Sequence, residues 1–386
     1  MKSIKKIEFP YALDLQVNRK TSYIAVFFGA DFYNLPLDSS RALFIERTNQ
    51  ILEYMRVHLP GHTFIYQPHP NETDEYTHLN LKGFTVGEHT IAELYLYEHA
   101  DTVDYVFSAQ SGASISAYAM GFNSVVFLDM LHGALSEESI VGYRSYFSGL
   151  PDSFFIKSFE QSLPRRVAVP QDVEQNALKE IQQAINPHGT LWILASDPSV
   201  GLRGAILVRQ LKESTPQLKT QLLVINHRRW NLGLKNSIIQ RAFDKVIILP
   251  VSRVWYGVGL APFISAIKSA HILKNLPIQK GDTFISCNNA LFEENCILSY
   301  YPKVKKILLI ENRWYKFIYG NGFADLSSNK FHSSWGVLFF SYFLEPILGL
   351  HRTLYKEYAD GKVLNILRYV LPLDKVYDVV FLTTYF

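Results

Sequence analysis

Tyr23–Gly29 reads YIAVFFG, an apolar run of strand length that closes on glycine. Outward from it the pattern alternates. Leu43–Leu59 spaces its apolar residues for a helix, and Gly61–Gln67 (GHTFIYQ) returns to strand. Thr90–Ala100 suits a helix, Tyr105–Ser108 (YVFS) a strand, Ala113–Met120 a small-residue helix and Ser124–Asp129 (SVVFLD) another buried strand. Short apolar strands separated by helices predict a parallel sheet covered on both faces. Turn signals at Leu163–Pro170 and Asn186–Gly189 interrupt the pattern, with one helix over Val173–Ile185 between them. It then restarts: strands at Thr190–Ala195 (TLWILA), Gln221–Asn226, Lys245–Pro250, Thr283–Cys287 and Lys306–Glu311, and helices through Leu211, over Ala261–Leu273 and over Leu291–Tyr301. The expectation is an α/β chain of two Rossmann-like lobes facing a cleft. The lobes are 1–165 and 190–386, joined by a linker helix within 166–189; aromatic-rich helices end the second.

Composition narrows the function classes. The 386 residues suffice for two domains, and 48% hydrophobic with 19% charged residues describes a packed chain. A net charge of +3 is too weak to argue for nucleic acid. Cys287 and Cys296 make neither a disulfide framework nor a metal site. No apolar segment follows the basic start, and Glu345 and Pro346 interrupt the longest apolar stretch, Trp335–Leu350. The expected location is cytoplasmic, with contact to a membrane surface at most.

Three stretches of the first half carry chemistry. Gln67-Pro68-His69-Pro70 follows a strand, and the two prolines exclude helix and present His69 at the strand's carboxyl end. A histidine there can protonate an anionic leaving group; equally, it can be a loop histidine, one of twelve. Ser108-Ala109-Gln110-Ser111-Gly112-Ala113-Ser114 joins a strand to a helix, so backbone N–H groups, Gly112 and the hydroxyls form an anion site or, more simply, an N-cap. Gly87-Glu88-His89-Thr90 leads into a helix on which Thr90 and Glu93 fit a capping box, while Glu93 can also face a ribose.

The ordered set, His69-Pro70, the Glu93 helix, Asp101 and the Ser108–Ser114 turn before a last strand, resembles the donor lobe of bacterial GT-B glycosyltransferases that use CMP-sugars. That group holds the sialyltransferases and polysialyltransferases; the related CDP-glycerol transferases look similar. The resemblance covers about residues 20–135. It implies that His69 meets the donor phosphate and assists its departure, and that Ser111, with Ser108 or Ser114, binds that phosphate. The second half looks like the acceptor lobe. The family's acidic-acidic-glycine motif, which supplies the general base, falls on Glu311-Asn312-Arg313, where only Glu311 matches. Asp197, after the second half's first strand, is the rival base or a turn residue before Pro198. The lobes stand in swapped order relative to the family, as in a circular permutation, and Val379–Thr384 leads toward Ile7–Leu15. CMP-sugars carry one phosphate, so no metal is required, and no cofactor is expected. Basic and aromatic residues cluster at His227-Arg228-Arg229-Trp230, Lys303–Lys306, Arg313-Trp314-Tyr315-Lys316 and Trp335–Tyr342. They suit a glycan or lipid-linked acceptor, with Arg228 and Arg313 as its contacts. The expected function is transfer of a sialic acid or Kdo-like sugar into a bacterial surface polysaccharide or lipooligosaccharide. The alternatives are a CDP-glycerol-type phosphotransferase, a nucleotide-sugar epimerase, or a non-catalytic nucleotide- or glycan-binding relative.

Overall fold

The structure, a computed structural model, describes residues 3–11, 15, 23–30, 35, 39–70, 72, 75–167, 170–225, 237–250, 260–287, 291–312, 340–351, 354–360, 363–371 and 373–383. The chain divides into two compact units. One is Phe9–Gln175; the other joins Met1–Glu8 to Asn176–Thr384.

The first strand, β1 (Ser3–Ile7), belongs to the second unit. The first unit holds a five-stranded sheet of β2 (Ile24–Phe28), β3 (Thr63–Gln67), β4 (Phe84–Val86), β5 (Val103–Ser108) and β6 (Asn123–Val126), in the order β4-β3-β2-β5-β6. Every pairing in it is parallel. Helices α1 (Arg41–His58), α2 (Ala92–Glu98) and α3 (Gly112–Ala119) make the crossovers, and α4 (Glu137–Tyr146) follows the last strand. Ser40 caps α1 by accepting from the Leu43 N–H (3.3 Å). The central strands are apolar because helices cover them: β5 is buried along its whole length, and Phe27, Tyr66, Phe107 and Phe127 share one core with Phe44 and Met55 of α1.

Helix α5 (Gln171–Ala184) carries the division between the units. Beyond it come β7 (Thr190–Ala195), α6 (Pro198–Ser214), β8 (Lys219–Ile225), α7 (Ser237–Ala242), β9 (Lys245–Leu249), α8 (Leu260–Lys274), β10 (Thr283–Ser286), α9 (Phe292–Tyr300) and β11 (Lys305–Glu311). A two-stranded antiparallel pair, β12 (Leu354–Asp360) and β13 (Val363–Val370), precedes β14 (Val379–Thr383). The sheet order is β1-β14-β11-β10-β7-β8-β9, again parallel throughout.

From β2 in the first unit and from β7 in the second, each sheet steps twice to one side and then returns to the other side of that strand, with β1 added at the second sheet's far edge. This is the doubly wound, Rossmann-like arrangement. The expected α/β class with two mostly parallel sheets is therefore present. The early boundary differs from 1–165: β1 pairs with β14 in the register Ser3↔Val379 to Ile7↔Thr383, and Lys5 forms an ion pair with Glu180 of α5. Strand β14 thus ends with Thr383 beside Ile7. The apolar stretch near 340–350 is a π-helical turn, Phe340–Leu344, followed by the short helix Glu345–Leu348. No described helix is long and apolar enough to cross a membrane.

Candidate functional site

In a doubly wound sheet the crevice opens at the carboxyl edge, where the strand order reverses. In the first unit that point lies between β2 and β5. The strands are parallel, so Gly29, His69, Gly87 and the Ala109–Ser111 turn all follow strand ends on this one edge. Neighbouring strands lie about 4.8 Å apart, which puts the ends of β3 and β5 about 10 Å apart across β2.

A residue the sequence reading passed over holds the His69 turn. Glu72 is only 3% exposed. Its Oε2 accepts the His69 N–H (2.9 Å) and its Oε1 accepts the Tyr66 hydroxyl (2.8 Å). The Glu72 N–H donates back to the His69 carbonyl (2.8 Å), closing a tight turn. His89 Nε2 lies 2.6 Å from the Glu72 carbonyl oxygen; because a carbonyl only accepts, that nitrogen carries the proton. Gly29 is required beside this turn: a Cβ there would stand 2.5 Å from both Glu72 Oε2 and the Tyr66 hydroxyl. A Cβ at Gly87 would meet Gln67 Oε1 and make that side chain shift. The Gln67 amide itself donates to the Glu88 carbonyl. The half-buried His69 ring is thus carried on a backbone fixed by two prolines and a buried carboxylate.

At the end of β5 the three serines separate. Ser108 and Ser114 are fully buried, with their hydroxyl oxygens 2.7 Å apart. Ser108 Oγ also accepts the Ser111 N–H (3.0 Å), so this pair builds the turn from inside. Ser111 is the N-cap of α3: its Oγ accepts the Ala113 N–H (3.2 Å), leaving its own O–H to donate. Ser111, Gly112 and Ala113 are half-buried, and the N-terminal partial positive charge of α3 accompanies them. The Tyr146 hydroxyl approaches from α4, 2.9 Å from where a Gly112 Cβ would be. Tyr146 belongs to no local motif at this edge and reaches it only through folding.

Glu93 lies elsewhere in the local structure. Its Oε1 accepts the Ser116 hydroxyl (2.8 Å), joining α2 to α3. The Thr90–Glu93 capping box does not form: the helix starts later, Ile91 is the N-cap, and no side chain caps it.

In the second unit the order reverses between β7 and β10. Asp197 there is the N-cap of α6, with Oδ1 accepting from the N–H groups of Ser199 (3.0 Å) and Val200 (3.1 Å) and from the Ser199 hydroxyl (2.6 Å). Its other oxygen accepts the Ser196 hydroxyl (3.1 Å). Capping thus engages Asp197 Oδ1, while among the described residues Oδ2 accepts only the Ser196 hydroxyl. Glu311 ends β11, is 7% exposed and lies in register with the buried Thr383. Cys287 follows β10, and burial pushes its thiol up to about 12; Arg203 opposes the shift, while Glu294 and Asp197 add to it. Buried Glu294 accepts from the Ser286 hydroxyl and the Leu291 N–H (3.0 Å), tying the start of α9 to the end of β10. Lys303–Lys306 stand at the amino end of β11, the edge opposite Glu311. Arg228 and Arg313 lie outside the described residues, as do His227–Trp230, Arg313–Lys316 and most of Trp335–Tyr342.

Among the described residues no group of three or more His, Cys, Asp or Glu side chains is disposed to hold a metal ion. The first unit's edge combines a fixed histidine, a serine-capped helix N-terminus and a tyrosine hydroxyl, chemistry suited to binding and protonating a phosphate ester. Comparison with protein-family models and with curated proteins finds no match for this chain.

Proposed function

We propose that the protein is a glycosyltransferase that takes a sialic acid or Kdo-like sugar from a CMP-activated donor and passes it to a glycan or lipid-linked glycan acceptor. One observation carries this reading. A proline-flanked histidine and a serine-capped helix N-terminus share the carboxyl edge of one parallel sheet, on the two strands flanking β2. Breaking the anomeric C–O bond puts positive charge on the sugar and negative charge on the departing phosphate. Catalysis requires that the second charge be stabilised as it forms. In this reading His69 protonates the departing phosphate, and the Ser111 hydroxyl and the first amides of α3 hold its oxygens. Glu311 is the preferred base for the acceptor hydroxyl, because Asp197 Oδ1 already caps a helix. A single displacement inverts the anomeric centre. No metal is needed in this reading, since the leaving group bears one phosphate.

A non-catalytic nucleotide-binding relative is the second reading. It is favoured by Asn312-Arg313 standing where the resemblance calls for an acidic residue and glycine, and by the burial of Glu311. The test is CMP release from CMP-sialic acid and CMP-Kdo in the presence of glycan acceptors, with CDP-glycerol and UDP-sugars as competing substrates. His69→Ala is expected to slow release by about 10²-fold or more with the fold intact. Unchanged turnover removes His69 from the mechanism. CMP binding without release from any donor, indifferent to Glu311→Gln, supports the second reading.

A further inference from the structure

The amino edge of the seven-stranded sheet carries a cavity of about 530 Å³, lined among others by Asn186, Lys280, Asp282, Lys303, Lys305 and Asp378. It lies wholly within the second unit, at the starts of β10, β11 and β14. Its floor is fixed. Asp282 is 6% exposed, and its carboxylate accepts from the Thr190 N–H (2.8 Å), the Trp192 indole N–H (3.0 Å) and the Gln279 N–H (3.0 Å). Asp378 Oδ2 accepts the Lys306 N–H (2.9 Å). Burial lowers the pKa of the Lys306 ammonium and the nearby Asp378 carboxylate pushes back, so these two answer each other. Asn186 is also committed: its Nδ2 donates to the Gly281 carbonyl (2.5 Å) and its Oδ1 accepts the His188 N–H (3.2 Å). Gly189 lets the two loops touch here, because a Cβ would strike the Gly281 carbonyl.

Three ammonium groups remain. Lys280 and Lys303 are exposed, Lys305 is half-buried, and among the described residues none of them has an ion-pair or side-chain hydrogen-bond partner. Asp378 is offset by the Lys306 ammonium, and the buried Asp282 carboxylate, hydrogen-bonded by neutral N–H groups, keeps its charge, so the three lysines leave the cavity with a net positive charge of about two. Like charges gathered around a preformed concavity concentrate counter-ions there. The volume exceeds what one phosphate group fills, and lysine binds phosphate as a point charge without demanding one fixed geometry.

We propose that this cavity is a second anion site, taking a ligand with one or more phosphate groups on Lys280, Lys303 and Lys305. It stands on the sheet edge opposite Glu311, and it is independent of the glycosyltransferase reading. The phosphate can belong to a free phosphorylated compound or to the headgroup of an anionic lipid, and the test separates the two. The full chain is titrated with inorganic pyrophosphate by calorimetry at low ionic strength. In parallel it is sedimented with phosphatidylglycerol and with phosphatidylcholine vesicles. The same is done with the triple variant Lys280→Gln/Lys303→Gln/Lys305→Gln and with the triple arginine variant. Pyrophosphate binding that weakens by about tenfold or more in the glutamine variant, survives in the arginine variant and falls with salt supports the site with a free ligand. Sedimentation with phosphatidylglycerol alone, lost in the glutamine variant, supports the site with a lipid headgroup. Absence of both, or binding that the glutamine variant keeps at wild-type strength, overturns the proposal. Should the triple variant lose its circular dichroism signature, Lys303→Gln and Lys305→Gln singly decide, each by a loss of several-fold against no change.

Discussion

Glu72→Ala tests whether the His69 turn is held in the way its hydrogen bonds indicate. The substitution removes both acceptors from two donors in a nearly closed environment, the Tyr66 hydroxyl (2.8 Å) and the His69 N–H (2.9 Å). Each stranded donor costs about 1–3 kcal/mol, so the turn loses roughly 2–6 kcal/mol, less whatever a water entering the vacated space recovers. Because about 1.4 kcal/mol is tenfold, amide exchange through local opening should speed up by roughly 30-fold or more. Peptide-resolved hydrogen exchange on the full chain reads this directly. Peptides across 63–72 should lose protection, whereas those across β7 in the other unit should not. Adding Tyr66→Phe to Glu72→Ala removes one stranded donor, so the double variant should be less destabilised than the sum of the two singles. Exchange across 63–72 within about threefold of wild type would refute the reasoning, because no buried donor would then have been stranded. So would a loss of protection spread evenly over both units.

Other outcomes follow from local electrostatics. Cys287 is half-buried at the residue level, yet the loss of hydration around its thiol pushes it up to about 12, so it should label with iodoacetamide more slowly at mildly alkaline pH in the folded chain than in urea; equal rates would contradict this. Burial pushes the Asp244 carboxyl up, but hydrogen bonds from the Lys212 ammonium (2.8 Å) and the Thr220 N–H (2.7 Å) outweigh it and leave the pKa lowered. A depressed folded pKa means its stabilisation is complete above the unfolded value and is lost as pH falls through the folded one. The gap in urea midpoint between wild type and Asp244→Asn should therefore close as the pH drops below about 4.

Much of the fold was legible because parallel, covered strands announce themselves as short apolar runs. Thr190–Ala195 has the bounds its sequence indicates, and Tyr23–Gly29 and Lys306–Glu311 need adjustment by a residue or so. Strands whose partners lie far along the chain were harder. Ser3–Ile7 (SIKKI) is short and half polar, and nothing in it points to Val379–Thr383 as its neighbour. The β12–β13 pair escaped although Asp360-Gly361 separates two runs rich in strand-forming residues, a usable hairpin signal. At the candidate site, position relative to strand ends was readable and side-chain direction was not. Ser108, Ser111 and Ser114 look alike in sequence, yet two turn inward onto each other and only Ser111 stays half-buried at the helix start. Glu72 sits among Asn71, Thr73, Asp74 and Glu75, a composition that suggests a solvated turn, and its burial depends on Tyr66 and Gly29. Glu93, read from sequence as a cap or a ribose contact, places one carboxylate oxygen on the Ser116 hydroxyl, a bond between helices that its local sequence does not announce.

The central claim is that the first unit's carboxyl edge binds the donor nucleotide through its phosphate. Calorimetric titration of the full chain with CMP, CDP, UDP, GDP and ADP, repeated on Ser111→Ala and His69→Ala, tests it most directly. The account predicts selective CMP binding that weakens in Ser111→Ala and His69→Ala, by about tenfold where a charge-assisted phosphate contact is lost. Preference for UDP or GDP, no nucleotide binding, or equal CMP affinity in wild type and both variants would contradict it.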